Sequence, residues 1–240
     1  GRITVTHTYD PVVAIIVTPD EAAAGRGLTA GASGGSARTM LTVADARVGR
    51  RLYLHTERDA DRVVEALGGR GHVVGHSYGA VTAMLAAQRR PDLLRSLVLV
   101  EPSCFDVARG GRHVEAHISA MAPVFAVADD PEVDGREFLD RFAAGMHHGP
   151  LDLDTETCSA LAERMRATPA PWEVALRTDT PRLVPTLVVT GDDRPMYTEV
   201  AQALAAKGAT HLVLPGADHR PQDHDEGWVA IRDFQVQHQR

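Results

Sequence analysis

The segment Gly75-His76-Ser77-Tyr78-Gly79-Ala80 carries the residue types that covalent chemistry needs. A serine flanked by glycines two positions to either side suits a sharp turn that lifts the hydroxyl clear of the backbone. The context supports such a turn. The apolar pair Val73-Val74 precedes it, and the small residues Ala80, Ala83, Ala86 and Ala87 follow. A strand, a tight turn and a helix make a nucleophile elbow. The turn would hold Ser77 in a strained conformation, and glycines at 75 and 79 would remove Cβ atoms where strand and helix approach. The helix start would aim N–H groups and a partial positive charge at a developing oxyanion. A glycine-rich strand-to-helix turn without chemistry would share the bare string, so the context carries the reading.

A serine hydroxyl is a weak nucleophile without a base. Of the 12 histidines, His219 is the best placed, in Leu214-Pro215-Gly216-Ala217-Asp218-His219, just after a strand-like run. A surface loop histidine is the plain alternative, and His224 is the nearby second choice. Zinc held by His219 and His224 would lack a third ligand at recognisable spacing. No metal is expected.

The elements that must position these residues follow from hydrophobic patterning. Strands are expected at 12–18, 52–55, 72–74, 97–100, 186–190 and 211–214. Helices are expected at 36–46, 57–67, 79–89, 197–207 and 227–234. Strands alternating with helices imply βαβ units and a mainly parallel sheet. The runs 97–100 and 187–189 are apolar on both faces, as central strands covered on both sides would be. From about 103 to 183 the pattern is helical, with candidate helices at 114–127, 137–146 and 156–165. The expected fold class is therefore α/β, a central mainly parallel sheet with flanking helices. The whole of 1–240 reads as one domain, with a helical cap insertion at about 103–183.

Composition narrows the function classes. The chain has 240 residues, 44% hydrophobic and 24% charged, which is ordinary for a globular protein. Its 32 acidic against 25 basic residues give a net charge of −7, which disfavours nucleic acid as a partner. The two cysteines, Cys104 and Cys158, form no CxxC pair and cannot make a disulfide framework. No apolar run is long enough to span a bilayer, and no signal-peptide pattern opens the chain. A cytoplasmic protein that does not act at a membrane is expected.

The motifs GHSYGA at 75–80, LVLVEP at 97–102, PTLVVTG at 185–191 and LPGADH at 214–219 together resemble the α/β-hydrolase superfamily, in its capped serine-hydrolase branch. Gly31-Ala32-Ser33-Gly34-Gly35 is similar to that family's oxyanion loop. The resemblance runs from about Gly31 to the C-terminus. It implies the chain order nucleophile, acid, histidine. It also implies an oxyanion hole made by the backbone N–H groups of Tyr78 and Ala32. The family's usual acid lies three residues after the glycine ending the PTLVVTG strand. Arg194 stands there, with Asp192 and Asp193 just before it. A second family solution puts the acid at the end of the strand that follows the nucleophile helix, which is Glu101 here. Glu101 is placed first, Asp193 second and Asp192 third. A carboxylate closing an apolar strand must be solvated or paired, so burial of Glu101 would demand a partner such as His219.

The resemblance implies a serine hydrolase with a Ser-His-acid triad and an acyl-enzyme, acting on a small or medium ester, thioester or lactone. Met121, Phe125, Phe142 and Met146 are candidate pocket residues, with Phe138 and Trp172 beside them; at helical spacing each could equally be plain core. The same fold hosts lyases, cyclases, cofactor-free oxygenases and perhydrolases, and a non-enzymatic ligand receptor could keep the motif. These alternatives stay open. The expected partner is a small-molecule substrate, with no cofactor; the sequence leaves homodimerisation open.

Overall fold

The computed structural model describes residues 14–19, 39–42, 54–147 and 149–239. Among the described residues six strands form one sheet in the order β2-β1-β3-β4-β5-β6. These are β1 (Ala14–Pro19), β2 (Thr39–Thr42), β3 (Gly71–His76), β4 (Leu94–Val100), β5 (Thr186–Thr190) and β6 (Thr210–Val213). β3 to β6 run parallel to one another. β1 runs antiparallel to both β2 and β3.

The central strands are apolar at successive positions because both faces are covered. Val73, Leu97, Leu99 and Val188 join a core with α1 (Leu54–Leu67), α2 (Tyr78–Arg89) and α7 (Pro195–Ala205). The alternating residues Val74, Val98, Val100, Leu187 and Val189 join a second core with Ile231 of α8 (Asp225–Gln237). Two-residue alternation along a strand sends neighbours to opposite faces, so a run that is apolar throughout marks a sheet between two layers. Each fully buried Val or Leu contributes about 1.5–3 kcal/mol of transfer free energy.

Between β4 and β5 the described chain is helical. α3 (Arg112–Ala126), α4 (Gly135–Gly145), α5 (Thr155–Arg166) and the single turn α6 (Thr180–Leu183) follow in order. Asp134 and Asp154 start α4 and α5 by accepting from the N–H groups of Glu137 and Thr157, each at 2.8 Å, which satisfies donors that a helix start leaves free. Val124, Phe138, Leu139, Leu161 and Met165 close a small core among these helices. Arg166 fastens it, donating to the carbonyls of Ala128 and Val133 while its guanidinium lies 4.8 Å from the Phe138 ring centre. The start of α3 is tied to the sheet layer. Glu199 of α7 accepts from the N–H groups of His113 at 3.0 Å and Val114 at 2.9 Å.

Two expectations from patterning are corrected. The helix expected at 36–46 contains β2, paired with β1 from Thr39 to Thr42. Thr39 and Thr42 are β-branched, and an open sheet edge outweighs a weak helical pattern. The strand expected at 52–55 gives way, in its described part, to the first turn of α1. A four-residue apolar run does not distinguish the two by periodicity.

Candidate active site

β3 ends at His76, and Ser77 turns the chain into α2 with φ 54° and ψ −123°. The turn is held by backbone alone. The Ser77 N–H donates to the Val100 carbonyl at 3.0 Å, and the Ser77 carbonyl accepts from the N–H groups of Ala80 and Ser103, both at 3.1 Å. Gly75 is required by the close approach behind it. A Cβ there would lie 2.6 Å from the Gly79 carbonyl and 2.8 Å from the Ala83 methyl. Tyr78 opens α2, so its N–H belongs to the first helical turn beside the serine.

Glu101 follows the last residue of β4. Its N–H donates to the Val189 carbonyl at 2.9 Å, and its φ of 43° puts it in the left-handed region. Ser77 and Glu101 thus carry two of the four non-glycine positive φ values among the described residues. Each such residue costs on the order of 1–3 kcal/mol, held by its surroundings. Glu101 is fully buried, its side chain 1% exposed. Oε1 accepts from the Gly191 N–H at 2.7 Å, and Oε2 lies 3.3 Å from His219 Nδ1. His219 Nε2 lies 3.2 Å from Ser77 Oγ. A serine hydroxyl, an imidazole and a carboxylate therefore stand in one hydrogen-bonded line. The line joins residues up to 142 positions apart.

Three neighbours hold the imidazole and the loop that carries it. His76 donates its Nε2–H to the His219 carbonyl at 2.7 Å, and its ring lies 4.8 Å from that of His219. Tyr197 stacks on the ring, with ring centres 5.2 Å apart and planes 21° apart. The end of β5 presses close to the loop that carries His219: a Cβ on Gly191 would lie 2.7 Å from the Asp218 carbonyl. The two other acids hold this loop rather than the imidazole. Asp192 accepts from the Gly216 N–H at 2.9 Å. Asp193 and Asp218 both face the Arg194 guanidinium, at 3.6 Å.

Burial sets the electrostatics. Removal from water pushes the Glu101 carboxyl up to about 8, against the pull of the Gly191 N–H; Asp193 raises it further and Arg194 lowers it. Burial and the neighbouring His219 push His76 down to about 3, so it is a neutral donor at ordinary pH. Burial raises the Tyr197 phenol well above its usual value, and its hydroxyl is hydrogen-bonded to Ser103 and Ser77. Tyr197 thus touches both the serine and the histidine. No pattern marked it in the sequence, where it is one aromatic at the start of a helix.

A cavity partly open to solvent lies over Ser77. Met121, Phe125, Phe142 and Met146 all line it, as does Trp172. Phe138 does not; it is fully buried in the helical core under Arg166. Ser103, Phe105, His117 and Met165 are lining residues that the sequence did not single out. Ala32 and the loop at 31–35 lie outside the described residues. Among the described residues, no cluster of three His, Cys, Asp or Glu could hold a metal ion, and no helix is long and apolar enough to cross a membrane.

The pattern of the alpha/beta hydrolase family matches residues 9–231. The chain belongs to that family. Among solved structures, a carboxylesterase of the thaumarchaeon Nitrososphaera gargenis superposes with a TM-score of 0.52 at 15% identity, covering 75% of this chain and 71% of that one. This likeness shows the α/β-hydrolase fold. Two curated relatives are similar in sequence. The 2-(acetamidomethylene)succinate hydrolase of Mesorhizobium japonicum is 28% identical over 165 residues, 62% of this chain and 58% of that protein. The mouse (Mus musculus) sn-1-specific diacylglycerol lipase ABHD11 is 39% identical over 69 residues, 29% of this chain and 22% of the relative. Neither match spans two thirds of the relative's length.

Proposed function

We propose that this α/β hydrolase is a serine hydrolase acting on a small or medium ester, thioester or lactone. The observation that carries the reading is the Ser77–His219–Glu101 line under an apolar cavity. Ser77 Oγ attacks the acyl carbon while His219 Nε2 takes its proton. Glu101 holds the Nδ1–H tautomer and stabilises the imidazolium. The oxyanion rests on the Tyr78 N–H and, from the sequence loop, the Ala32 N–H. His219 then protonates the leaving group, and water repeats the cycle to release the acid. The helical segment between β4 and β5 serves as the cap. Support comes from the family and from the two curated relatives, both named for hydrolytic activities.

A fluorophosphonate probe tests the reading. Labelling is expected on Ser77, together with turnover of short p-nitrophenyl esters. Labelling without turnover of any ester, thioester or lactone would replace hydrolysis by other chemistry of the fold. No labelling would remove Ser77 as nucleophile.

The pH profile follows from the buried pair. With one proton more than the carboxylate and neutral imidazole hold, either the imidazole is charged or the carboxyl donates to Nδ1 and Nε2 carries the ring hydrogen; neither form can take the serine proton. That shared proton must leave first, and the two groups titrate as a unit. Because burial raises the Glu101 carboxyl to about 8, kcat/KM is expected to rise with pH through a midpoint near 8. A midpoint at the ordinary histidine value of about 6.5 would contradict this account.

A further inference from the structure

Among the described residues, the cavity wall beyond the Ser77–His219–Glu101 line has no Lys, Arg, Asp or Glu. Its few polar groups are mostly occupied. The Thr168 hydroxyl donates to the Arg164 carbonyl at 2.9 Å. The Ser103 hydroxyl lies 3.5 Å from Ser77 Oγ and bonds to Tyr197. His117 of α3 differs. It lines the cavity between Phe105, whose ring centre is 4.7 Å away, and the apolar side chains of the helical segment. Among the described residues no side chain or backbone group is hydrogen-bonded to its ring nitrogens, and the residue is half-buried.

We propose that this cavity binds an uncharged, largely apolar acyl group that carries one internal carbonyl or hydroxyl, received by His117. The proposal rests on the serine-hydrolase reading and names its substrate class. Against the described lining residues a carboxylate would lose its hydration and meet no cation in exchange. The half-buried imidazole is open to water in the empty cavity, and a ligand that displaces that water keeps its affinity only if one of its own atoms pairs with the ring. His117 supplies no counter-charge, because burial, Arg194 and His147 push it down to about 4. A neutral imidazole offers one donor and one acceptor, which suits a carbonyl or a hydroxyl. Met121, Met146 and Met165 give the rest of the wall adaptable side chains, suited to acyl groups of more than one shape.

The test uses p-nitrophenyl esters of one chain length: hexanoate, the 3-, 4- and 5-oxohexanoates, and the adipate monoester. Hexanoate is expected to exceed the charged adipate monoester by about 100-fold or more in kcat/KM. At least one oxohexanoate is expected to exceed hexanoate by about 10-fold. In His117→Phe that oxo-to-plain ratio falls to about one, and in His117→Gln, whose amide can donate and accept, part of it returns. Adipate monoester turned over as well as hexanoate would overturn the proposal, as would an oxo-to-plain ratio that His117→Phe leaves intact. Calorimetry on Ser77→Ala with the propylamides of the same acids separates this from the hydrolase reading. The same order in binding, without ester turnover by the parent protein, would overturn hydrolysis and keep the acyl site. Equal binding of all the amides would overturn the acyl site alone.

Discussion

Ser77→Ala is expected to lower kcat for p-nitrophenyl butyrate by about 10⁵- to 10⁶-fold, the scale seen when a triad nucleophile is removed. The geometry makes the variant a clean one. Every hydrogen bond that shapes the turn at Ser77 is made by its backbone N–H and carbonyl, and alanine keeps both. The left-handed φ of 54° strains serine and alanine alike. Gly75, which allows the close approach of strand and helix, is untouched. The hydroxyl's partners are His219 Nε2, Ser103 and Tyr197, and the cavity beside it gives them access to water. The melting temperature should therefore stay close to that of the parent. Residual turnover of about 10³- to 10⁴-fold over the uncatalysed rate is expected from binding and the oxyanion donors. Thermal melts beside steady-state rates check both halves. Retention of more than about a tenth of kcat in a folded variant would remove Ser77 from the chemistry.

What the sequence made legible was local. The strand at 186–190 matches its expected limits because Pro185 and Gly191 bound the apolar run Leu187-Val188-Val189 with its flanking β-branched threonines. The turn at Ser77 was legible for the same reason: strand, glycines and small-residue helix are contiguous. The acid was not local. Glu101, Asp192 and Asp193 are three carboxylates near strand ends, and the choice between them depends on register. Pairing of Val100 with Val189 brings Glu101 next to Gly191. The loop ending at His219 then descends on that same point, too close for any side chain at 191. A linear pattern contains neither fact. Tyr197 and His117 were invisible for a related reason. Each is one ring on an amphipathic helix, where an aromatic most often means core. Only the fold shows that one stacks on the base and the other faces the cavity. The helix misread at 36–46 failed because β2 exists by pairing with β1, a partner supplied by tertiary structure.

Glu101→Gln is expected to lower kcat by about 10⁴-fold while raising stability at alkaline pH, a combination that a merely structural residue would not produce. The glutamine carbonyl can still accept from the Gly191 N–H. Its amide group then faces His219 Nδ1 and donates to it, so the imidazole hydrogen moves to Nε2 and points at Ser77. A base holding its own hydrogen toward the nucleophile cannot take another. Stability moves the other way. The Glu101 carboxyl ionises near its ordinary 4.5 in the unfolded chain and at about 8 in the folded one. Between those values the folded protein binds more protons, so its stability falls as pH rises from about 4.5 to 8 and levels off above. Glutamine does not titrate and escapes that loss. The melting temperature of Glu101→Gln should exceed the parent's at pH 8.5, with the gap closing toward pH 4.5. Asp193→Asn is the control for the rival acid. Asp193 faces Arg194 at the surface, so its loss should change kcat by less than about 10-fold, within the small range of exposed ion pairs. If Asp193→Asn fell by thousands-fold and Glu101→Gln did not, the acid would be Asp193, and the carboxyl at the end of β4 would be a buried structural group.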